Sequence, residues 1–271
     1  MTEGDRLGED VFGILAGRGE YPIILSERLV SAGKRVVIAG TRGQYSGWAP
    51  EGCGAVAMMP LGAIGAVARF FGDNGASRAF MAGGVRRRGA WRSARPDLHG
   101  LALIPRALLG GDDGLLTALA EELARLGVEV CDPSSFLGGL FAGEGLLAGP
   151  ELDPEDRGAV ELAWRAARDL GRTGRGQAVV VHRGVVVGRE GRAGTDALLA
   201  RAPGPGAVLA KAVKPGQDRR FDMPAIGPST IIVASLVGVR AIAVETGGVL
   251  LLRKERVLEL CEERGVSLVG L

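Results

Sequence analysis

The 271-residue sequence predicts an α/β protein of two α/β domains, with a Rossmann-like parallel sheet in the N-terminal domain and a mixed sheet in the C-terminal domain. Three observations support this fold class. Strand-like and helix-like runs alternate through the first half, which is typical of βαβ units. The second half contains a hairpin signal, which requires an antiparallel pair. The hydrophobic content of 46% is ample for the cores of both domains.

The first half contains five short apolar runs that we predict as strands, at residues 11–15, 35–39, 54–58, 78–82 and 128–131. Three stretches with helical spacing are predicted helices, at residues 23–33, 62–72 and 114–127. The Gly- and Arg-rich residues 83–100 are expected to form a loop or irregular helix near the carboxyl edge of the sheet. We therefore predict an N-terminal Rossmann-like domain over residues 1–132.

Residues 133–153 have no clear period, and we predict that they form an interdomain crossover. The C-terminal mixed α/β catalytic domain is predicted over residues 154–271. Its first helix, residues 154–170, begins with the capping sequence "DPED". Strands are predicted at residues 178–182, 185–189, 207–212, 240–244 and 249–252, and further helices at residues 194–202, 228–237 and 253–264. The sequence "VVVHRGVVVG" predicts a hairpin that turns at Arg183 and Gly184.

Composition and charge argue against several classes of protein. The net charge of +2 is too small to indicate a nucleic-acid partner. The 3 cysteines lie far apart and there are only 2 histidines, so a zinc site or a disulfide framework is not expected. The N-terminus lacks the apolar run of a signal peptide, and no segment has the uncharged apolar length of a membrane span. We therefore expect a cytoplasmic protein.

The stretch "GILAGRGEYP" resembles the glycine turn that opens a dinucleotide-binding fold. Gly17 and Gly19 permit a tight turn around Arg18, and Pro22 at a first helical position directs the positive end of the helix dipole toward that turn. The next predicted strand ends without the carboxylate that would bind a nicotinamide ribose. The turn is thus interpreted as facing a phosphate, and a βα turn that merely needs glycine is an equal alternative.

The densest polar cluster in the chain is "KAVKPGQDRRFDMPAIGPST". Prolines and glycines forbid a continuous helix here, so the charged groups of Lys214, Asp218, Arg219, Arg220 and Asp222 are expected on a stiff loop between a strand and a helix. Two carboxylates beside three cations suit a hard metal ion bridging phosphate oxygens. The alternative is a solvated loop whose charges pair with one another.

Smaller clusters have two interpretations each. Thr195 and Asp196 precede a predicted helix, and Asp112 lies at the start of another; taken singly, both aspartates favour helix caps over metal ligands. The arginines that follow Gly83, beginning with Arg86, favour a solvated face, with a phosphate clamp as the alternative.

Six segments, "GILAGRGEYP", "AGGVRR", "GDDGLL", "GQAVVV", "EGRAGTDALL" and "KPGQDRRFDMPAIGPST", resemble in this order the LpxI-type UDP-2,3-diacylglucosamine pyrophosphatases of lipid A synthesis. The resemblance covers nearly the whole chain, and the run "KPGQDRRxDxPxIG" is its most specific part. Two positions depart from the family pattern. Ala193 stands where a second glutamate is usual, and Arg18 stands where a glycine is usual.

The resemblance implies a Mg²⁺-dependent cytoplasmic enzyme, with Mn²⁺ as a possible substitute, that lies at the periphery of the inner membrane. It implies hydrolysis of a lipid-linked UDP-sugar, UDP-2,3-diacylglucosamine, to UMP and 2,3-diacylglucosamine 1-phosphate. It also implies a homodimer, transient contact with the membrane surface, no nucleic-acid partner, and a substrate held between the two domains.

The family's essential aspartate lies within the run that carries Asp218 and Asp222, and we favour Asp222. Both are expected metal ligands, and Lys214 completes the expected catalytic group. The residues expected to contact substrate are Gly17, Arg18, Gly19, Gly83, Arg86, Gln177, Thr195, Asp196, Gln217, Arg219, Arg220 and Thr230. Two other functions stay open on the residues alone: an NADP-dependent oxidoreductase that would use Arg42, and a non-catalytic sugar-nucleotide sensor.

Overall fold

A computed structural model describes residues 10–85, 94–191, 194–201 and 204–271, without the side chains of residues 107–113. The chain divides into two compact units. Unit 1 comprises Met1–Leu137 with Arg219–Phe221, and unit 2 comprises Gly138–Asp218 with Asp222–Leu271. A parallel sheet in unit 1 and a mixed sheet in unit 2 confirm the predicted α/β class.

Unit 1 is built on a parallel sheet of order β3-β2-β1-β4-β5. Its strands are β1 (Val11–Ala16), β2 (Arg35–Thr41), β3 (Ala55–Met59), β4 (Arg78–Ala82) and β5 (Glu129–Val130). Its helices are α1 (Tyr21–Ser31), α2 (Ile64–Asp73), α3 (Leu98–Ala102), α4 (Ile104–Arg125) and α5 (Ser134–Leu137). All five strands predicted for this half are confirmed.

The strands of unit 1 carry apolar side chains on both faces, as expected for a parallel sheet. One face packs against α2 and α4, where Phe71 and Leu123 are fully buried. Elsewhere in the unit, Phe12 stacks on Phe80 at 5.2 Å between ring centroids, and Phe136 meets both rings edge-on. This packing fixes β1, which is followed by Gly17, and β4, which is followed by Gly83.

Helix α4 is longer than the sequence predicts. It begins at Ile104 rather than residue 114 and passes through "GGDDG", so Asp112 lies inside the helix and is not its cap. Each glycine in a helix costs about 1 kcal/mol relative to alanine. Burial of Ala118 and Leu123 farther along the helix offsets this cost, which the local sequence does not reveal.

Unit 2 is built on a sheet of order β6-β13-β11-β9-β7-β8. Its strands are β6 (Gly145–Ala148), β7 (Ala178–His182), β8 (Val185–Arg189), β9 (Ala207–Lys211), β11 (Val239–Val244) and β13 (Ser267–Gly270), and a separate parallel pair joins β10 (Ala225–Ile226) to β12 (Leu250–Leu251). The helices are α6 (Pro154–Arg172), α7 (Thr195–Leu199), α8 (Pro228–Leu236) and α9 (Lys254–Arg264).

The sheet of unit 2 is mixed because β9, β11 and β13 run parallel, whereas β7 runs antiparallel to β8 and β9. The predicted hairpin is confirmed: Arg183 and Gly184 have φ of 50° and 71°, the left-handed pair that a two-residue turn requires. The predicted cap of α6 is also confirmed, since the Asp153 carboxylate accepts from the Asp156 N–H at 2.8 Å.

Each face of this sheet has its own apolar core. Alternation along β9 places Ala207, Leu209 and Lys211 on one face, with α8 and α9, and Val208 and Ala210 on the other, with α6. Lys211 thus belongs to a row that is otherwise apolar.

Three short segments differ from the sequence-based expectations. Residues 133–153, predicted as a crossover, contain α5, a 3₁₀ turn (Gly138–Leu140) and strand β6. The terminal strand β13 was not predicted, because four residues carry too little periodicity. Gly194 precedes α7 as its N-cap residue, so Asp196 lies in the first turn and is not the cap.

Candidate active site

The polar groups of unit 2 gather at one edge of its sheet. Strands β8, β9 and β11 run in the same direction, since β7 is antiparallel to both β8 and β9 and β11 is parallel to β9. Their carboxyl ends therefore share an edge, where Glu190 follows β8, Lys211 ends β9 and Glu245 follows β11. Glu245 accepts the N–H of Val213 at 2.9 Å and so anchors the start of the charged loop.

The charged loop opens with a tight turn at Lys214-Pro215-Gly216-Gln217. The N–H of Gln217 donates to the carbonyl of Lys214 at 3.1 Å, and Gly216 has φ 72°. Proline followed by a glycine with positive φ is the sequence signature of a type II turn. The Lys214 N–H donates in return to Gln217 Oε1 at 3.0 Å, so two bonds close the turn into a ring.

Gln217 connects this turn to Asp222. Its Nε2 donates to Asp222 Oδ2 at 2.6 Å, and Lys214 Nζ lies 3.5 Å from the same oxygen. The N–H of Asp222 donates to the carbonyl of Asp218 at 3.2 Å, which makes residues 218–222 a single helical turn. The Asp222 carboxylate is thus held by an amide and an ammonium while its side chain stays 42% exposed.

A second group of polar residues surrounds the buried Lys211. Its Nζ donates to Thr195 Oγ1 and to the carbonyl of Ala225, both at 3.0 Å. Thr195 Oγ1 donates to Glu190 Oε1 at 2.6 Å, and Glu190 Oε2 accepts the N–H of Gln177 at 2.9 Å. These bonds form one chain from Gln177 to Ala225, three residues after Asp222.

The electrostatics link this chain to the loop. Burial lowers the pKa of Lys211, and the negative charges of Glu190, Asp222 and Asp196 oppose that shift. Three carboxylates therefore lie near one internal ammonium.

The structure thus brings together three of the predicted site residues by direct contact: Lys214, Gln217 and Asp222. Gln177 and Thr195 are joined to each other through Glu190. Asp196 interacts electrostatically with Lys211. Sequence reasoning missed Lys211 and Glu190 as members of the site. One signal for Lys211 was present in "AVLAK", because strand alternation places the lysine on the same face as buried Ala207 and Leu209.

Other predicted site residues have different surroundings. Thr230 is buried in the first turn of α8, where its Oγ1 accepts the Gly227 N–H at 3.5 Å. The Arg220 guanidinium lies 4.7 Å from the centroid of the Phe221 ring, and Phe221 packs against the core of unit 1. The buried Oε1 of Gln177 finds no hydrogen-bond partner among the described residues, and the contact of Gln177 with Glu190 comes from the backbone. Arg86 lies outside the described residues.

Of the two interpretations of the glycine turn in unit 1, the backbone geometry favours a βα turn that needs glycine. The N–H groups of Gly17 and Arg18 donate to the carbonyls of Ala82 and Gly84, both at 2.8 Å, and are not available to an anion. A Cβ at Gly17 would lie 2.5 Å from the Gly84 oxygen, and one at Gly83 would lie 2.5 Å from the Arg18 oxygen. These glycines are therefore required by the close approach of two backbones. The N–H of Gly19, at the start of α1, has no backbone acceptor in the described chain.

The donors around Asp222 fit a weakly chelated hard cation. Within the described residues, no group of three or more His, Cys, Asp or Glu side chains is arranged as a metal site. Mg²⁺ commonly binds through one or two carboxylates and completes its shell with water and substrate phosphates. Asp222, which is half-exposed, and Asp218, one turn earlier, could supply one or two such carboxylates.

No helix in the described part of the chain combines the length and the apolar character needed to cross a membrane.

Comparisons with known proteins cover both units. Residues 11–140 match the family described as the LpxI N-terminal domain, and residues 143–269 match the LpxI C-terminal domain. The chain is also 30% identical, over 279 aligned positions, to a protein from Caulobacter vibrioides named UDP-2,3-diacylglucosamine pyrophosphatase LpxI. That alignment covers 95% of this chain and 96% of the relative.

Proposed function

Since the chain belongs to the LpxI family, we propose that it hydrolyses the pyrophosphate bond of UDP-2,3-diacylglucosamine in lipid A synthesis. The products are UMP and 2,3-diacylglucosamine 1-phosphate. The observation that carries the proposal is the Lys214–Gln217–Asp222 cluster, a carboxylate fixed beside an ammonium at the carboxyl edge of an α/β sheet. The enzyme is thus a hydrolase of a phosphoric anhydride.

The reaction adds water to one phosphorus and breaks the P–O–P bridge, which gives two phosphate monoesters. Negative charge develops on the bridging oxygen as that bond breaks, so preorganised cations lower the barrier. Lys214 is assigned this role together with Arg219 and Arg220, because all three lie within the loop that carries Asp222. Gln217 holds Asp222 in one orientation through the 2.6 Å bond to Oδ2.

Mg²⁺, or Mn²⁺ in its place, is the proposed cofactor, with Asp222 and Asp218 as its protein ligands. When bound, the ion would neutralise diphosphate charge and activate water. Carboxylate oxygens and phosphate oxygens are the ligands that these hard cations prefer, which supports the assignment. Gln177, Thr195 and Asp196 are proposed to line the substrate site, and Gly19 to contribute a backbone N–H.

The setting follows from the substrate. A diacylated UDP-sugar is anchored in a membrane by its acyl chains, so we propose a cytoplasmic enzyme that contacts the inner-membrane surface transiently. A homodimer is proposed on family grounds alone.

The test is UMP release from UDP-2,3-diacylglucosamine in mixed micelles, with Mg²⁺ present. EDTA is expected to abolish release, and added Mg²⁺ or Mn²⁺ to restore it. UMP release that persists in excess chelator would reject the metal requirement. Binding of the substrate without UMP release, at any metal concentration, would reject the hydrolase assignment in favour of a sensor.

A further inference from the structure

Lys211 is a buried ammonium to which the proposed reaction assigns no role. It is 6% exposed and lies at the end of β9 in a row with Ala207 and Leu209, which are fully buried. An ammonium is costly to remove from water unless it is paired and hydrogen-bonded. An apolar side chain of similar size would satisfy the packing at lower cost, so the charge requires a separate explanation.

The hydrogen bonds around Lys211 have a defined direction. Thr195 has one hydroxyl hydrogen and donates it to Glu190 Oε1 at 2.6 Å, so its lone pair accepts from Lys211 Nζ. A second ammonium hydrogen goes to the carbonyl of Ala225. Lys211 thus joins the start of α7 to the backbone that follows Asp222.

Ala225 is also fixed from its other side. Strand β10 begins at Ala225 and pairs with β12, and the Leu250 N–H donates to the Pro224 carbonyl at 2.8 Å. Asp222 is therefore bounded by two anchors: Gln217 on its side chain and the Lys211–Ala225 bond on the backbone three residues later.

We propose that Lys211 is a positioning residue for the hydrolysis, whose internal ammonium holds Thr195 of α7 and the Asp222–Ala225 backbone in one arrangement. It also supplies the positive charge that three nearby carboxylates, Glu190, Asp196 and Asp222, share. The inference rests on the proposed function. It predicts that loss of the Lys211 charge lowers the turnover of the folded protein by more than unfolding explains.

The experiment compares Lys211→Met with Lys254→Met as a matched control. Lys254 is also in unit 2 and also donates to backbone carbonyls, those of Gly139 and Phe141 at 3.1 and 3.4 Å, but it is joined to none of the site residues by a described bond. Lys211→Met is expected to lower kcat by about a hundredfold, the scale of losing one preorganised electrostatic group. Its KM is expected to stay within about threefold of wild type. Its urea midpoint is expected to fall, because Glu190 and the Ala225 carbonyl lose a buried partner, but the protein is expected to stay folded in the assay buffer. Lys254→Met is expected to retain wild-type kcat.

Thr195 gives a second, milder test. Thr195→Val removes the hydroxyl that receives the Lys211 bond and is expected to lower kcat about tenfold. Thr195→Ser keeps the hydroxyl and is expected to lose less of kcat than Thr195→Val. In the Lys211→Met background, Thr195→Val is expected to add little, because both changes break the same chain of bonds.

Two results would overturn the inference. One is a folded Lys211→Met protein with wild-type kcat. The other is a Lys211→Met protein whose loss of kcat equals its unfolded fraction in the assay buffer, because Lys211 would then act only on the fold. Wild-type UMP release is measured first. Its absence rejects the proposed function, whereas an active wild type with an equally active Lys211→Met rejects the inference alone.

Discussion

Replacement of Asp222 by Asn separates the charge of this carboxylate from its shape. Asn keeps the size of the side chain and an oxygen that can accept from Gln217 Nε2, which lies 2.6 Å from Asp222 Oδ2. The variant therefore loses one negative charge and little packing. We expect kcat to fall by about a hundredfold or more, because the proposed role of this charge is to hold the cation that would stabilise the transition state.

The expected cost to stability is much smaller and can be worked from the ion pair. Lys214 Nζ lies 3.5 Å from Asp222 Oδ2, and the two side chains are 22% and 42% exposed. At a water-like dielectric constant of about 80, unit charges at that separation attract by about 1 kcal/mol. Solvent and the entropy of both side chains reduce this further, so unfolding free energy is expected to fall by less than about 1 kcal/mol. A hundredfold loss of kcat corresponds to about 2.7 kcal/mol in the activation barrier.

The assay combines UMP release at saturating Mg²⁺ and substrate, urea unfolding, and substrate binding by calorimetry. Asp218→Asn serves as the matched control, since Asp218 lies at the other end of the same helical turn. Binding by Asp222→Asn is expected to persist, because Lys214, Arg219 and Arg220 remain to hold the diphosphate.

Three outcomes would refute the reasoning. Turnover of Asp222→Asn within about threefold of wild type would show that the charge is not needed. If Asp222→Asn stays active while Asp218→Asn is inactive, the essential carboxylate is Asp218. If both stay active, the loop is not the catalytic site.

Two further predictions concern unit 1. Gly17→Ala is expected to destabilise the protein by about 1–3 kcal/mol in urea unfolding, because the new Cβ would lie 2.5 Å from the Gly84 oxygen. A Cβ at Gly19 would have no neighbour within 4 Å, so Gly19→Ala is expected to lose only the unfolding free energy that the strain of its φ of 93° accounts for. Equal losses of unfolding free energy in the Gly17 and Gly19 variants would contradict this account. Asp97→Ala is expected to cost about 1–2 kcal/mol, because its carboxylate accepts from Gly100 in α3 and from Gly65 and Ala66 in α2. Burial raises the pKa of Asp97, but these N–H bonds bring the pKa below 3.8. The stabilisation that the Asp97 carboxylate provides is therefore present above pH 3.8 and is lost as the pH falls through the folded-state pKa. If the difference in unfolding free energy between wild type and Asp97→Ala does not decrease in acid, this role of the carboxylate is wrong.

Local signals in the sequence predicted most of the strands and helices and the stiff charged loop. The pair Pro215-Gly216 predicts a stiff turn, and the same segment places Lys214, Gln217 and Asp222 within reach of one another. Arg183 and Gly184 likewise predict the hairpin without any distant information. In each case a few adjacent residues decide the backbone conformation.

Contacts between distant segments account for what the sequence did not reveal. The sequence of the glycine turn is typical of a phosphate-binding loop. The N–H groups of Gly17 and Arg18 nevertheless donate to carbonyls more than 60 residues away in the chain. Lys211 bonds to Thr195 and Ala225 only because the fold brings the starts of α7 and β10 to the end of β9. Which donor finds which acceptor depends on tertiary packing, and no local pattern records it.

The ring that joins Lys214 and Gln217 is expected to open and close much faster than the enzyme turns over. Its two bonds link residues three apart, so a ring that opens is expected to close again within about 100 ns. Enzymes of this kind turn over in milliseconds to seconds, so the open and closed loops equilibrate many times in each catalytic cycle. Where turnover depends on the closed ring, a substitution that weakens the ring multiplies kcat by the fraction of molecules in which the ring is closed, and it produces neither a lag nor a burst.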